Sequence, residues 1–567
     1  MQEKMFEDIF YERPDYEEYA QYIEKCALEI RKAATMEDLC RSLESFFDYR
    51  SRVETMEMVA FIRSYHDCTD EFYQQEMQYT QSRAAMTDVS PVCDALLKSP
   101  YRGETDNRFG RRFLLKVEKE STLKKSGQKL LGREQELIAR FQNKTASMKF
   151  SYEGRELSFG RLSEYMYSGD RDIRKAAREA WRKACAGSSD YFLQVLGELV
   201  DVRGQIARAN GYADYLEYAD TEKGRYSYGE KELARMCHFV REELVPLKKR
   251  LYERLRERLG VDVYTADDTG IYFEAGNPKP LGDAGFLLDQ AGIMYGQMDG
   301  EFLELFETMK NRGYIDCARS DHKITGMGFC TIICAEKLPF IFGNCTGQYT
   351  DADLLVHEFG HAVQAKMSMD RFRVPEYWEM PGDLLEILSK AMEQLCYDYA
   401  PLFFGESAPQ YVEIRLITIL KEICSFCMTH EFETFLYKAD TFDSAAAIAE
   451  YNRLTEIYEA GADYGVCRSY MDAGALLVQN KGLYMSPRYL ISYALSGISA
   501  VGIRLMYEKD RENGLAVYKK LCGMGGSMEY DEAMKVLGLP LPYTEQAVSD
   551  VRDYLADRLG LAREISG

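Results

Sequence analysis

Residues 356–364 read VHEFGHAVQ and place His357 and His361 on either side of Glu358. The chain of 567 residues has only six histidines, at 66, 238, 322, 357, 361 and 430, so this pairing is unusual. At 3.6 residues per turn, positions i and i+4 share one helical face. Both imidazoles can therefore turn toward a single zinc ion at about 2.0–2.1 Å. Glu358 sits about 100° around the helix from His357, beside such an ion, where its carboxylate can take a proton from an activated water. Gly360 leaves one face of the same helix bare and suited to close packing. The alternative is a chance match on a buried helix, expected about once in a hundred such chains or less.

A catalytic zinc needs a third protein ligand and an open position. The stretch PGDLLEILSKAMEQL, residues 381–395, offers two candidates. Pro381 and Gly382 mark a break, Asp383 is placed to cap, and the pattern predicts a helix from there. Glu386 follows His357 by 29 residues, and Glu393 lies two turns further along the same face. One glutamate can complete the zinc site while the other bonds a ligand histidine and fixes its tautomer. Two solvated charges on an exposed face are the other reading.

The rest of the chain predicts a predominantly helical protein. SGDRDIRKAAREAWRKACAG has Ser168 or Asp170 as N-cap and Gly187 just past its end. KELARMCHFVREELVPLKKRLYERLRERLG is also helical, with a kink or interruption at Pro246. MKFSYEGRELSF alternates around Glu153-Gly154-Arg155 and predicts a short hairpin. A second small sheet is expected at about 323–345, immediately before the HEFGH helix. Segments 264–268 and 276–283 read as loops. ICSFCMTH, 423–430, lacks a second cysteine pair and reads as buried thiols. A division near residue 190 would leave an N-terminal helical region, 1–190, and a catalytic region, 191–567, in one intertwined body.

Composition narrows the partners. The net charge of −21 argues against a nucleic-acid backbone or an anionic membrane. The 15 cysteines follow no framework spacing and suggest reduced cytosolic thiols. No basic, apolar leader opens the chain, and no apolar stretch near the roughly 20 residues of a membrane span is evident. A cytoplasmic protein is expected, as a monomer or small homo-oligomer.

HEFGH followed by EILSKAME resembles the zinc peptidases of family M3, which include thimet oligopeptidase and oligoendopeptidase F. GFCTIICAEKLPFIFGNCTGQYTDADLLVHEFGHAVQ is similar to that family's substrate-side strand and metal helix in order. YERPDYEEY, DEFYQQE and LLKSPYRG resemble its oligoendopeptidase F branch, so the likeness covers most of the chain. It implies a mainly α, zincin-like metallopeptidase with a small sheet beside the active site and a zinc in a deep internal channel. It also implies one Zn2+ per chain on His357, His361 and Glu386, with Glu358 as general base. Asp353 and Glu393 would hold the ligands in place, and the strand near Gly326 and Gly328 would pair with the substrate backbone.

In MSPRYLISYALSGISA, Ser486 suits an N-cap, Pro487 the first helical position, and Tyr489 and Tyr493 share a face. The resemblance makes Tyr493 the oxyanion donor and Tyr489 its substrate-side neighbour. Two positions depart from the family pattern: Gly482 stands for a histidine and Leu490 for a second tyrosine. Losing one such donor costs about 10²–10³ in turnover, which predicts a slower or altered enzyme, not an inactive one. The expected activity is hydrolysis of internal bonds in short unfolded peptides. The alternatives are a catalytically impaired, zinc-containing peptide-binding protein and a zinc carboxypeptidase.

Overall fold

A computed structural model describes residues 4–123, 128–324 and 326–561. Contacts divide the chain into two units, each assembled from three separate stretches. The first takes Met1–Ser126, Lys279–Ala408 and Met506–Ala533; the second takes Gly127–Pro278, Pro409–Leu505 and Met534–Gly567. Residue 190, where the sequence suggested a division, lies in the first turn of a helix, Ser189–Ala209, inside the second unit.

The first unit opens with helix Tyr16–Lys32. Asp15 caps it, its carboxylate accepting from the Glu17 and Glu18 N–H groups, and Tyr16, Tyr19, Ile23, Cys26, Ala27 and Ile30 are buried at helical spacing. That stripe joins a core with Leu39, Leu43, Phe46 and Phe47 of helix Met36–His66 and with Phe113 and Tyr377.

The sheet that leads to the site also belongs to this unit. Strand β3 (Ile315–Asp316), β4 (Phe329–Ile333) and β5 (Leu338–Phe342) lie in the order β3-β5-β4. β5 reads LPFIF and is buried throughout, as a central strand flanked on both edges should be. β3 pairs with it in parallel and β4 antiparallel, with Cys330 opposite Ile341 and Ile332 opposite Pro339. Proline has no N–H for a ladder, so Ile332–Pro339 is a non-bonded pair. By alternation, Cys330 and Ile332 turn their backbone polar groups outward. The two-residue β3 was not evident in the sequence, being too short for any periodicity.

From β5 the chain reaches helix Thr350–Arg371 through a turn held by Asp351, whose carboxylate accepts from the N–H groups of Thr346, Gly347 and Gln348. Gly347 there has φ +80°, a left-handed conformation natural to glycine. Helix Gly382–Leu395 then packs across Gly360. A Cβ at that position would lie 2.8 Å from Ser389 Cα and 3.0 Å from the Leu388 carbonyl oxygen, so the bare face serves the close packing expected of it. The cap is corrected: Pro381 holds that position without a side-chain bond, and Asp383 lies buried in the first turn.

In the second unit, β1 (Phe150–Tyr152) and β2 (Arg155–Leu157) form the expected hairpin, with positive φ at Glu153 and Gly154. Asp170, not Ser168, caps helix Arg171–Ala186. Pro246 is accommodated by a π-turn, Val240–Leu244, between helices Glu230–Phe239 and Val245–Arg258. The 264–268 loop is not free. Arg171 grips Asp268 with a two-pronged contact, Nε at 2.8 Å and Nη2 at 2.6 Å, and Arg174 adds a third bond at 3.1 Å.

Two other expectations change. Helix Leu490–Lys509 starts later than Ser486 and Pro487 suggested, because Arg488 adopts φ +65° and interrupts helical geometry. That helix is also long and apolar enough to cross a membrane, contrary to the reading that no stretch approaches this. Its apolar window is 72% buried inside the protein, which marks a core helix.

Candidate metal centre

Three side chains from two helices of the first unit converge. His357 Nε2 and His361 Nε2 lie 3.3 Å apart, and Glu386 Oε2 lies 3.5 Å from the first and 3.7 Å from the second. Donor atoms arranged tetrahedrally around one ion at 2.0–2.1 Å stand about 3.3–3.4 Å from one another. The triangle therefore fits a single divalent ion with little adjustment, and these residues form the one such group among the described residues. Two imidazole nitrogens and one carboxylate oxygen are also the donor set of catalytic zinc sites with an open fourth position.

The surrounding groups orient these donors. Glu393 Oε1 lies 2.7 Å from His357 Nδ1, leaving His357 Nε2 to face the triangle. The Ser389 hydroxyl donates to Glu386 Oε2 at 3.1 Å. Lys390 Nζ is 3.8 Å from Glu393 Oε1 and is itself buried. Asp353 is buried one turn before His357, whereas His361 Nδ1 has no hydrogen-bond partner among the described residues.

Glu358 is buried beside the triangle, where the backbone N–H of Cys330 on β4 favours its charged form. Burial pushes its pKa up to about 7; the His357 charge pulls down while nearby Glu386 pushes up. Burial disfavours the imidazolium at both histidines. At His357 hydrogen bonds to Glu386 and Glu393 overcome this and raise the pKa to about 10, while burial keeps His361 at about 4.

The glycines near β4 have separate roles. Gly326 has φ +71°. A Cβ on Gly328 would lie 2.3 Å from Leu354 Cδ1, so the approach to β4 lies directly on the helix that carries the histidines. Tyr489 and Tyr493 belong to the second unit. Their rings meet edge to face at 5.5 Å, with Phe426 5.6 Å from Tyr493. Gly482 and Leu490 lie against each other: a Cβ on Gly482 would lie 2.8 Å from Leu490 Cδ1.

Sequence reasoning missed Lys390 and the Cys330 N–H. Lys390 stands three residues before Glu393, a spacing that could have flagged it. The Cys330 contact depends on which edge of β4 faces outward, and no local pattern encodes that.

Comparison with known proteins agrees with this geometry. The family model for the peptidase M3 N-terminal domain matches residues 6–123, and that for peptidase family M3 matches residues 299–552. A search of curated proteins returned no match. Among solved structures, PZ peptidase A with an inhibitor is 28% identical, with TM-score 0.90 over 98% of this chain and 99% of its own. A protein described as an oligoendopeptidase F has the same identity and TM-score over 99% of each chain. Another so described, from Bacillus anthracis str. Ames, is 26% identical, with TM-score 0.86 over 99% of each chain. The matched models, the likeness along the whole chain and the His-His-Glu triangle agree: the chain belongs to peptidase family M3, in its oligoendopeptidase F branch, and is a metalloendopeptidase.

Proposed function

We propose that this metalloendopeptidase uses one zinc ion, held by His357, His361 and Glu386, to cut internal bonds of short unfolded peptides. The observation that carries the metal assignment is the triangle of donor atoms, 3.3–3.7 Å on a side, with Glu358 next to it. Bound there, zinc would supply a Lewis acid that polarises the scissile carbonyl and acidifies water. Glu393 holds the His357 ring, Ser389 holds the Glu386 carboxylate, and Glu358 accepts the proton from water and passes it to the leaving amine. Asp353 supports the same helix.

The substrate main chain adds to β4. The Gly326 and Gly328 approach supports this, as does a strand whose outer edge carries no partner strand among the described residues. Tyr493 donates its phenol proton to the developing oxyanion and Tyr489 lines the substrate; both roles rest on the resemblance of their segment to the family's. Fifteen free thiols support a cytoplasmic location.

Cleavage of a short quenched peptide, with and without a chelator, tests the reading. Glu358→Gln should keep its metal and lose cleavage, whereas Glu386→Ala should lose the metal. A Glu358→Gln protein that still cuts, or a Glu386→Ala protein with full zinc content, would overturn these assignments. A second reading, peptide binding with impaired turnover, is favoured by Gly482 and Leu490 and predicts chelator-insensitive binding without cleavage.

A further inference from the structure

The link between Gly482 and Leu490 is gripped by buried charges. Arg203, fully buried on helix Ser189–Ala209, donates to the carbonyls of Leu483 at 3.0 Å and Tyr484 at 2.6 Å. Its charge is met by Glu134 at 2.7 Å. Arg225, also buried, donates to the Arg488 carbonyl at 2.9 Å and to the Ser492 hydroxyl at 3.0 Å, while its other nitrogen bonds Asp220 at 2.9 Å.

Arg488 is the hub. Its side chain is 0% exposed. Its backbone N–H donates to Glu433 at 2.9 Å, and its guanidinium takes both oxygens of Asp220, at 3.2 and 2.6 Å, and Glu230 at 2.7 Å. His430 Nδ1 is 3.1 Å away. All these groups lie in the second unit.

Merely closing a loop does not call for this arrangement. Apolar packing would stabilise a short link at least as well as buried charges do, because ions lose their hydration on burial. A non-glycine residue at φ +65° is also strained, and such strain persists only where the surroundings over-determine it. What the network over-determines is the direction in which the chain leaves Arg488. Tyr489 is the next residue, Ser492 is held directly, and Tyr493 follows one turn into the helix.

We propose that Arg488, with Arg225 and Arg203, is a positioning residue for the tyrosine pair. The network sets the rotation of helix Leu490–Lys509 about its axis, and thereby the direction of the Tyr493 phenol. This rests on the reading that Tyr493 takes part in catalysis.

The test is a double-substitution cycle on the zinc-loaded full chain, with kcat and KM measured separately. Arg488→Gly removes the guanidinium but tolerates the left-handed backbone, sparing the turn. It should lower kcat about tenfold or more, with KM and zinc content little changed. Added to Tyr493→Phe, it should cost less than about twofold further, because its effect runs through the phenol already removed. Independent, multiplying losses would overturn the proposal. So would full kcat in Arg488→Gly beside a slow Tyr493→Phe. Unchanged kcat in Tyr493→Phe would instead remove the catalytic reading of that tyrosine, and the proposal with it. Should Arg488→Gly fail to fold, Arg225→Lys keeps a charge beside Asp220 while losing the fork to Arg488 and Ser492. The same non-additivity is expected of it, and its absence is equally decisive.

Discussion

Replacing Gly360 with alanine perturbs the metal centre without touching any donor. The new methyl would sit 2.8 Å from Ser389 Cα, 3.0 Å from the Leu388 oxygen and 3.1 Å from Met392 Cβ. Ordinary carbon contacts are about 3.5–4.0 Å, and the first two obstacles are backbone atoms that cannot rotate aside. Helix Gly382–Leu395 must therefore retreat by roughly 0.7–1 Å. His357 and His361 stay 3.3 Å apart because they share a helix, but Glu386 Oε2 moves with the other one. Its present separations of 3.5 and 3.7 Å would grow to more than about 4 Å, against the 3.3–3.4 Å a tetrahedral ion requires. Zinc affinity should fall about 10- to 100-fold, the scale seen when a ligand's support is lost. Overpacking costs about 1–3 kcal/mol, offset by about 1 kcal/mol of helix propensity gained over glycine, so the fold should survive. Competition with a chelator of known affinity gives the zinc constant, and thermal unfolding gives the stability. A Gly360→Ala protein with unchanged zinc affinity and cleavage rate would refute the claim that interhelical distance sets the third ligand.

Three further outcomes are expected. Glu393→Gln removes the charge that faces His357 Nδ1 at 2.7 Å and should weaken zinc binding about 10- to 100-fold, read by the same competition. Asp268 is buried, which alone would raise its pKa, but the Arg171 and Thr265 hydrogen bonds lower it from 3.8 to about 2. Its stabilisation, about 2 kcal/mol by linkage, is thus full above pH about 4 and is lost as pH falls through about 2. Asp268→Asn should destabilise by about 3–5 kcal/mol at neutral pH, and the gap between the urea midpoints of the two proteins should narrow without closing as pH falls to about 2. Gly482→His should collide with Leu490, so kcat should be lower for it alone than when paired with Leu490→Ala. Additive effects would show that the two sites do not touch.

Much of this was legible from local pattern. The HEFGH spacing placed two donors on one helical face, and Glu386 and Glu393 fell on the next helix as written. The 153–154 turn, the Pro246 interruption and the capped helix after Asp170 each follow from a few neighbouring residues. What escaped depends on partners distant in sequence. Asp268 looks like an ordinary loop residue until helix Arg171–Ala186 closes on it. Ser486-Pro487 looks like a helix start because no sequence rule anticipates a left-handed arginine; the conformation is held by Asp220, Arg225 and Glu433, over fifty residues away or more. The second unit's inward-facing charges resemble surface charge in composition, which hides them.

If substrate adds to β4 as proposed, the placement of Cys330 beside Glu358 makes that strand a ruler as well as a docking edge. A peptide laid along this strand would find outward main-chain groups at Cys330 and Ile332, two residues apart, with the Cys330 N–H on the side of the base. Pairing on a strand repeats only every second residue. A substrate that shifts along β4 therefore shifts by two positions, bringing a different peptide bond to Glu358 while keeping its ladder. Minor products from a single peptide should then be offset from the main cut by even steps, a reading frame written into the backbone.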